Sequence, residues 1–184
     1  MPNNQRHSDP AVLDTARRNI SEVVRAQAEM RRRRLGFGWR ASPCAPSSYP
    51  ELLREFRGSE VSRLPLRVSN MHNCPVIYDS PETNLALRYW HDTNHVLHGL
   101  SFDLDDELEL ADRHLQALRA EGFGPTTLEH QLLHADIFGQ TYFQLVTGRF
   151  VGNQVRFDTN CVLFGVDEAV AQECTALVHD NAKG

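Results

Sequence analysis

Histidine is concentrated in one part of the chain, where seven of the nine histidines lie between residues 72 and 134. His91 and His95 are four residues apart, and His98 follows three residues later. On a helix with about 3.6 residues per turn, this spacing places the three imidazoles on one face. Two histidines at i and i+4 can bind one metal ion because their ring nitrogens converge across a single turn. The spacing therefore predicts a metal site on a helix.

Two carboxylates complete the predicted ligand set. Asp92 adjoins His91 and can either bind the metal or orient a ligand. Glu107 lies near the start of the next predicted helix, and an antiparallel helix pair would return it to the histidine face. Two histidines and one or two carboxylates, with a coordination position left over, are typical of a catalytic or substrate-binding site. We therefore predict Zn²⁺ or Fe²⁺ bound by His91, Asp92, His95 and Glu107.

The same residues carry a family resemblance. The segment from Tyr89 to Gly99, followed by Glu107, reads H-D-x-x-H, eleven residues, then E. This pattern resembles the signature of the coenzyme Q (ubiquinone) biosynthesis family, and the match covers about residues 86–125, up to a Gly-x-Gly-Pro turn. The resemblance implies a helical fold, a metal at the four residues named above, and an apolar groove for an isoprenoid quinone intermediate. The implied function is action on, or presentation of, a small apolar molecule of the quinone-precursor type.

Two further histidines are candidates for proton transfer. His98 shares the face of His91 and His95, and His134 lies four residues after His130 on a later predicted helix. We predict His98 and His134 as catalytic residues that move a proton. His130 and His134 of the later helix are explained equally simply as ordinary residues that are buried or lie on its polar face.

The residues are also compatible with two other functions. A metal-dependent phosphohydrolase of the HD type would use His72, the His91–Asp92 pair and Asp136, with metal-activated water attacking a phosphate ester. That assignment ranks second because it leaves His95 and Glu107 without a role. A non-enzymatic binding or scaffold module stabilised by metal is the third. For an enzyme, the residues do not distinguish a lyase, a hydrolase and a quinone-pathway enzyme.

Hydrophobic periodicity predicts a mainly α fold, a compact helical domain with a small β-hairpin element. The predicted helices cover about residues 9–33, 50–57, 82–99, 103–121, 125–147 and 167–178. Residues 64–78 are predicted as short strands or extended loop, and residues 149–164 as a hairpin around Gly152-Asn153, since apolar and polar residues alternate there. The predicted organisation is a basic amphipathic helix with a linker over residues 1–48 and a helical metal-binding domain over 49–184.

Charge and composition limit the partners. Residues 1–40 hold nine arginines against four acidic residues, while the rest holds ten basic against twenty acidic residues. An acidic body argues against a broad nucleic-acid surface, because phosphate contacts need clustered cations. The run Arg31–Arg34 suits a solvated helix end, and the alternative is membrane-surface or nucleic-acid contact with Phe37 and Trp39 as possible anchors.

Cellular location follows from what the chain lacks. Neither a secretory signal nor an apolar run approaching about 20 residues is present, and the four cysteines form no C-x-x-C pair. A cytoplasmic protein with reduced thiols is therefore expected, with membrane contact limited to the periphery. Homo-oligomerisation is left open.

Overall fold

The computed structural model describes residues 10–71 and 77–181, with side chains described up to residue 175. The chain order is α1 (Pro10–Leu35), β1 (Trp39–Ser42), α2 (Tyr49–Ser62), β2 (Leu66–Ser69), α3 (Pro81–His98), α4 (Leu104–Ala120), α5 (Leu128–His134), a π-turn (Ala135–Gly139), α6 (Gln140–Thr147), α7 (Gln154–Phe164) and α8 (Val166–Asn181). The predicted mainly α class is confirmed. Among the described residues, no helix is both long enough and apolar enough to span a membrane.

The β element differs from the prediction in place and in kind. Strands β1 and β2 pair in parallel, with Trp39 opposite Leu66 and Ser42 opposite Ser69. Parallel neighbours need a long crossover, and α2 supplies it. Strand β1 lies in a stretch that the sequence analysis assigned to a linker, whereas β2 falls within the predicted extended segment.

The hairpin predicted for residues 149–164 is wrong, because most of this segment forms helix α7. The side chain of Asn153, predicted as a turn residue, instead caps the helix by accepting a hydrogen bond from the backbone N–H of Arg156. Phe157 and Cys161, four residues apart, are both buried on the inner face. A short apolar–polar alternation is compatible with either period, and here the helical spacing determined burial.

Two helix boundaries differ from the prediction, and one predicted helix is interrupted. Helix α2 is longer than predicted because it continues to Ser62, where Arg63 adopts a left-handed conformation (φ 62°). The helix predicted to open at Pro125 begins instead at Leu128, since the hydroxyl of Thr127 accepts from the N–H of His130. It reaches Thr147 through the π-turn rather than as one regular helix.

The chain divides into two compact units, and the division falls inside α1 and α4. The central unit is Arg17–Leu110. The terminal unit comprises the described residues of 1–16 and 111–184. The predicted boundary at residue 48 stays a prediction.

Within the central unit, α1 buries an apolar stripe, as its sequence pattern predicts. Ile20, Val23, Val24 and Ala28 are at most 8% exposed. Arg25 adds an ion pair to Asp79 at 2.7 Å. The helix predicted for residues 9–33 is thus confirmed, and its apolar face is covered within the chain.

The two aromatic residues after α1 that are the possible membrane anchors pack against other aromatic rings of the central unit, and peripheral membrane contact stays a prediction. Phe37 is 3% exposed and packs edge-on against Phe56, with 5.4 Å between ring centroids. Trp39 stacks on Tyr89 at 4.8 Å. Both rings hold the central unit together, because apolar aromatic surface is stabilised by burial.

The terminal unit has its own core on one side of the π-turn. It consists of Ala135, Phe143, Phe157, Cys161, Ala169 and Val170. The rings of Phe143 and Phe157 meet edge-on at 5.6 Å.

Candidate metal centre

Helix α3 carries the histidine pair and is fixed at both ends. The Ser80 hydroxyl accepts from the N–H of Thr83 at the start, where Pro81 occupies the first turn. Gly99 ends the helix with φ 68°, a conformation that costs glycine little because it lacks Cβ. Tyr89 and Trp90, at most 3% exposed, bury the side facing the core. The histidine positions are therefore set by a rigid helix.

A short loop returns the chain so that α4 brings Glu107 to this helix. The Asp106 carboxylate accepts from the N–H and the hydroxyl of Ser101, at 2.7 and 2.6 Å. The Ser101 hydroxyl lies 2.9 Å from an oxygen of Asp103 as well. These contacts fasten the first turn of α4 to the loop, and the next residue along the helix is Glu107.

Three side chains converge on one point. Nε2 of His91 lies 2.9 Å from Nε2 of His95, and each nitrogen lies 3.4 Å from a carboxylate oxygen of Glu107. Ligand atoms about 2.0–2.2 Å from a tetrahedral metal are separated by about 3.4 Å. The two nitrogen–oxygen distances match this spacing, and the distance between the two nitrogens is shorter. Within the described part of the chain, these residues form the one group of three or more such side chains that could hold an ion.

His95 is held in the orientation that metal binding requires. Its side chain is fully buried, and its Nδ1 lies 3.1 Å from the carbonyl oxygen of Leu100. Donation from Nδ1–H to that carbonyl leaves the Nε2 lone pair directed at His91 and Glu107. The ring of Phe102 packs edge-on against the imidazole at 4.8 Å and shields it.

The electrostatics favour a negative carboxylate beside the two imidazoles. Burial by itself raises the pKa of Glu107, but the imidazoles of His91 and His95 beside it hold that pKa well below its usual range. Burial by itself lowers the pKa of His91, whereas the Glu107 carboxylate raises it above its ordinary value. The side chains of His91 and Glu107 are 30% and 22% exposed, so an ion can reach them from one side.

Asp92 stands apart from the converging atoms. It is not one of the three residues whose ligand atoms meet. Burial raises its pKa to about 6, and the neighbouring His91 and His95 oppose that rise. A carboxyl group in this setting suits an orienting or proton-holding role beside the ligands.

Neither of the two predicted proton-transfer residues belongs to the converging group. His98 is exposed at the last position of α3 and is not one of the converging groups. His134 belongs to the terminal unit, where its ring stacks on Phe138 at 4.7 Å. Both roles stay predictions.

The residues of the phosphohydrolase hypothesis fall in two different units or outside the described residues. His72 lies outside the described residues. Asp136 belongs to the terminal unit and accepts from the side chain of Gln140, while the His91–Asp92 pair belongs to the central unit. That hypothesis also stays a prediction.

Sequence reasoning missed the groups that orient the ligands. The Leu100 carbonyl has no side-chain signature, because any residue supplies it. The contact of Phe102 with His95 depends on the loop conformation. The Ser101–Asp106 contact had a weak signal, since a serine followed by acidic residues commonly begins a helix.

None of the protein-family models, curated proteins and solved structures compared with the chain matches it. The case for function therefore depends on the site itself.

Proposed function

We propose that the chain binds one divalent metal, Zn²⁺ or Fe²⁺, through His91, His95 and Glu107. The observation that carries this proposal is the convergence of three ligand atoms within 4.8 Å of one another. Two histidines and a carboxylate are a donor set used by catalytic zinc and by non-haem iron, and both leave coordination positions open. The resemblance to the coenzyme Q biosynthesis family supports the same residues.

We further propose that the substrate is a small apolar molecule of the quinone-precursor type. Aromatic side chains beside the ligands support this. Phe102 packs on His95 and is 36% exposed, and the ring of Tyr49 meets Phe102 at 6.2 Å. An aromatic surface next to polar ligands suits a molecule with an apolar body and one oxygen-bearing end.

When bound, the metal would polarise a carbonyl or hydroxyl oxygen, or lower the pKa of bound water to about 7. The protein residues supply the rest of the chemistry. His95 presents Nε2 in a fixed orientation, and the Phe102 ring excludes water from its side. Asp92, which adjoins His91 in the chain, would accept and release a proton. The exposed imidazole of His98 would exchange that proton with solvent.

The test measures binding of a geranylated phenol to the full chain loaded with Zn²⁺ or Fe²⁺. We expect saturable binding, which is monitored by the fluorescence of Trp90 on α3. Chelation of the metal should weaken this binding at least tenfold. Phenol without the geranyl chain is the matched control and should bind more weakly, because it offers less apolar surface. A metal-loaded chain that binds neither compound contradicts the proposed substrate class.

A second experiment distinguishes the phosphohydrolase hypothesis from the proposed function. Hydrolysis of p-nitrophenyl phosphate that is lost in Asp136→Asn and kept in Glu107→Gln would overturn the proposal. We expect no hydrolysis of p-nitrophenyl phosphate that depends on Asp136 and is independent of Glu107.

A further inference from the structure

One end of the central unit brings the arginine run of α1 together with two loops. Strands β1 and β2 are parallel, so the loops that precede them lie at the same end of the sheet. The N–H of Leu66 donates to the carbonyl oxygen of Gly38 at 2.9 Å, which joins these loops. We call residues 29–38 and 57–65 the basic end of the central unit.

Arg63 fastens the second loop to the end of α1. Its backbone is left-handed, with φ 62°, and its Nη1 donates to the carbonyl oxygen of Leu35 at 2.7 Å. The guanidinium also lies against Gly36, where a Cβ would be 2.9 Å from Nη1. The residues on either side of Arg63 are therefore placed beside the last turn of α1, which carries three arginines.

The basic end holds six arginines and two glutamates. Arg31 is turned inward and donates to Oδ1 of Asn94 on α3. Arg32 and Arg33 both pair with Glu29, at 2.6 and 2.8 Å, so one carboxylate offsets one of their two charges. The remaining arginines of this end are exposed, and they are Arg34, Arg57 and Arg63. An excess of positive charge therefore faces solvent, on a chain whose formal net charge is −5.

Two apolar side chains are exposed among these arginines. Val61 is 88% exposed and Leu64 is 66% exposed. The turn that carries them is held by polar contacts, because the Ser62 hydroxyl accepts from the N–H of Leu64 at 3.2 Å and donates to the carbonyl oxygen of Gly58 at 2.8 Å. Apolar side chains that a well-held turn leaves in water, beside clustered cations, indicate an interaction surface.

We propose that the basic end binds an anionic lipid surface, with Val61 and Leu64 in the interfacial layer and the arginines at the headgroups. Anionic headgroups attract arginines that lie near the membrane surface. The two apolar side chains gain free energy when they leave water, and a lipid layer accepts them. Nucleic acid supplies the negative charge through its phosphates but leaves such side chains in water. The surface is distinct from Phe37 and Trp39, whose rings pack inside the central unit.

Co-sedimentation of the full chain with unilamellar vesicles tests the proposal. Vesicles of phosphatidylcholine alone are compared with vesicles that also contain phosphatidylglycerol, an anionic lipid. We expect binding to the anionic vesicles to be at least about tenfold tighter, because several arginines contribute. It should weaken as the salt concentration rises to about 1 M, where the Debye length falls to about 3 Å.

Four exposed substitutions separate the charge from the apolar contact. Arg34→Gln should weaken binding to the anionic vesicles about fivefold, the contribution of one arginine near such a surface. Leu64→Ser should weaken it by about the same factor or more, since less apolar surface leaves water. Arg149→Gln and Leu145→Ser are the matched controls, because they make the same changes at exposed positions of the terminal unit. Both controls should bind as the unaltered chain does.

Several outcomes would overturn the proposal. One is equal binding to the neutral and the anionic vesicles, or no binding to either. Another is an equal loss of binding in the matched controls. Undiminished binding of Leu64→Ser would also contradict it, since charge alone would then explain the attraction. Finally, binding to duplex DNA that is tighter than binding to the anionic vesicles, and that is lost in Arg34→Gln, would assign the basic end to nucleic acid.

Discussion

Replacement of Glu107 by glutamine should weaken the metal centre in two separable ways. The substitution keeps the size of the side chain and removes its negative charge. Both carboxylate oxygens lie 3.4 Å from an imidazole nitrogen, one from His91 and one from His95. Loss of an outer-shell partner typically lowers metal affinity about 10–100-fold. Loss of a directly converging carboxylate should therefore lower it by more than about 100-fold.

The same substitution should destabilise the metal-free protein at mildly acidic pH. At 3.4 Å and an effective dielectric constant of about 20, a carboxylate and an imidazolium attract each other by about 5 kcal/mol. Desolvation offsets much of this. Because exposed pairs contribute about 0–1 kcal/mol and removal of one partner from a buried pair costs about 3–5 kcal/mol, a partly buried pair should lose about 2 kcal/mol. That corresponds to a fall of about 4–8 °C in Tm.

The pH dependence of this loss has a definite sign. Glu107 has a lowered pKa, so its contribution is present above its ordinary pKa and disappears as the pH falls through the lowered value. His91 has a raised pKa, so its contribution is present below its ordinary pKa and disappears as the pH rises through the raised value. The Tm difference between the chain and Glu107→Gln should therefore be large near pH 6 and small near pH 9.

The assay is differential scanning calorimetry of chelated protein at both pH values, together with metal-binding titrations at neutral pH. Glu121→Gln is the matched control, because it makes the same charge change at an exposed residue directly after α4. It should change neither quantity appreciably. Equal losses for the two variants, or a larger loss near pH 9 than near pH 6, would refute the reasoning.

Two further predictions concern groups next to the centre and the first helix. Asp92→Asn should lower metal affinity by about 10–100-fold, less than Glu107→Gln, because Asp92 adjoins the ligands without converging on them; an isothermal titration in which it costs more than Glu107→Gln would reverse their roles. Deletion of residues 1–34 removes α1 and uncovers the surface against which Ile20, Val23 and Val24 are buried, so light scattering should detect aggregation or a changed oligomeric state. A truncated chain that is monodisperse and has an unchanged oligomeric state would contradict this prediction.

The sequence predicted the cluster of His91, His95 and Glu107 better than its surroundings, for a physical reason. His91 and His95 sit on a long, well-capped helix, where the spacing i, i+4 alone determines that they meet. Glu107 followed because a short loop leaves an antiparallel return as the simplest path. The orienting carbonyl of Leu100 depends on loop geometry, which no residue type encodes.

The β element shows where local pattern is insufficient. The residues from Trp39 to Ser42 resemble a linker, and they form a strand only because α2 returns the chain to place Leu66 beside them. Residues 154–164 alternate like a strand, yet the cap at Asn153 and the burial of Phe157 and Cys161 favour a helix. Tertiary burial decides such short segments.

The central claim is that His91, His95 and Glu107 bind one metal ion, and the metal content of two matched alanine variants tests it most directly. His95→Ala removes a converging imidazole from α3, whereas His98→Ala removes an exposed imidazole three residues later on the same helix. After equilibration with Zn²⁺ and removal of free metal, elemental analysis should find about one equivalent in the unaltered chain and in His98→Ala. It should find almost none in His95→Ala. Equal metal content in the two variants, or less than about half an equivalent in the unaltered chain, would contradict the account.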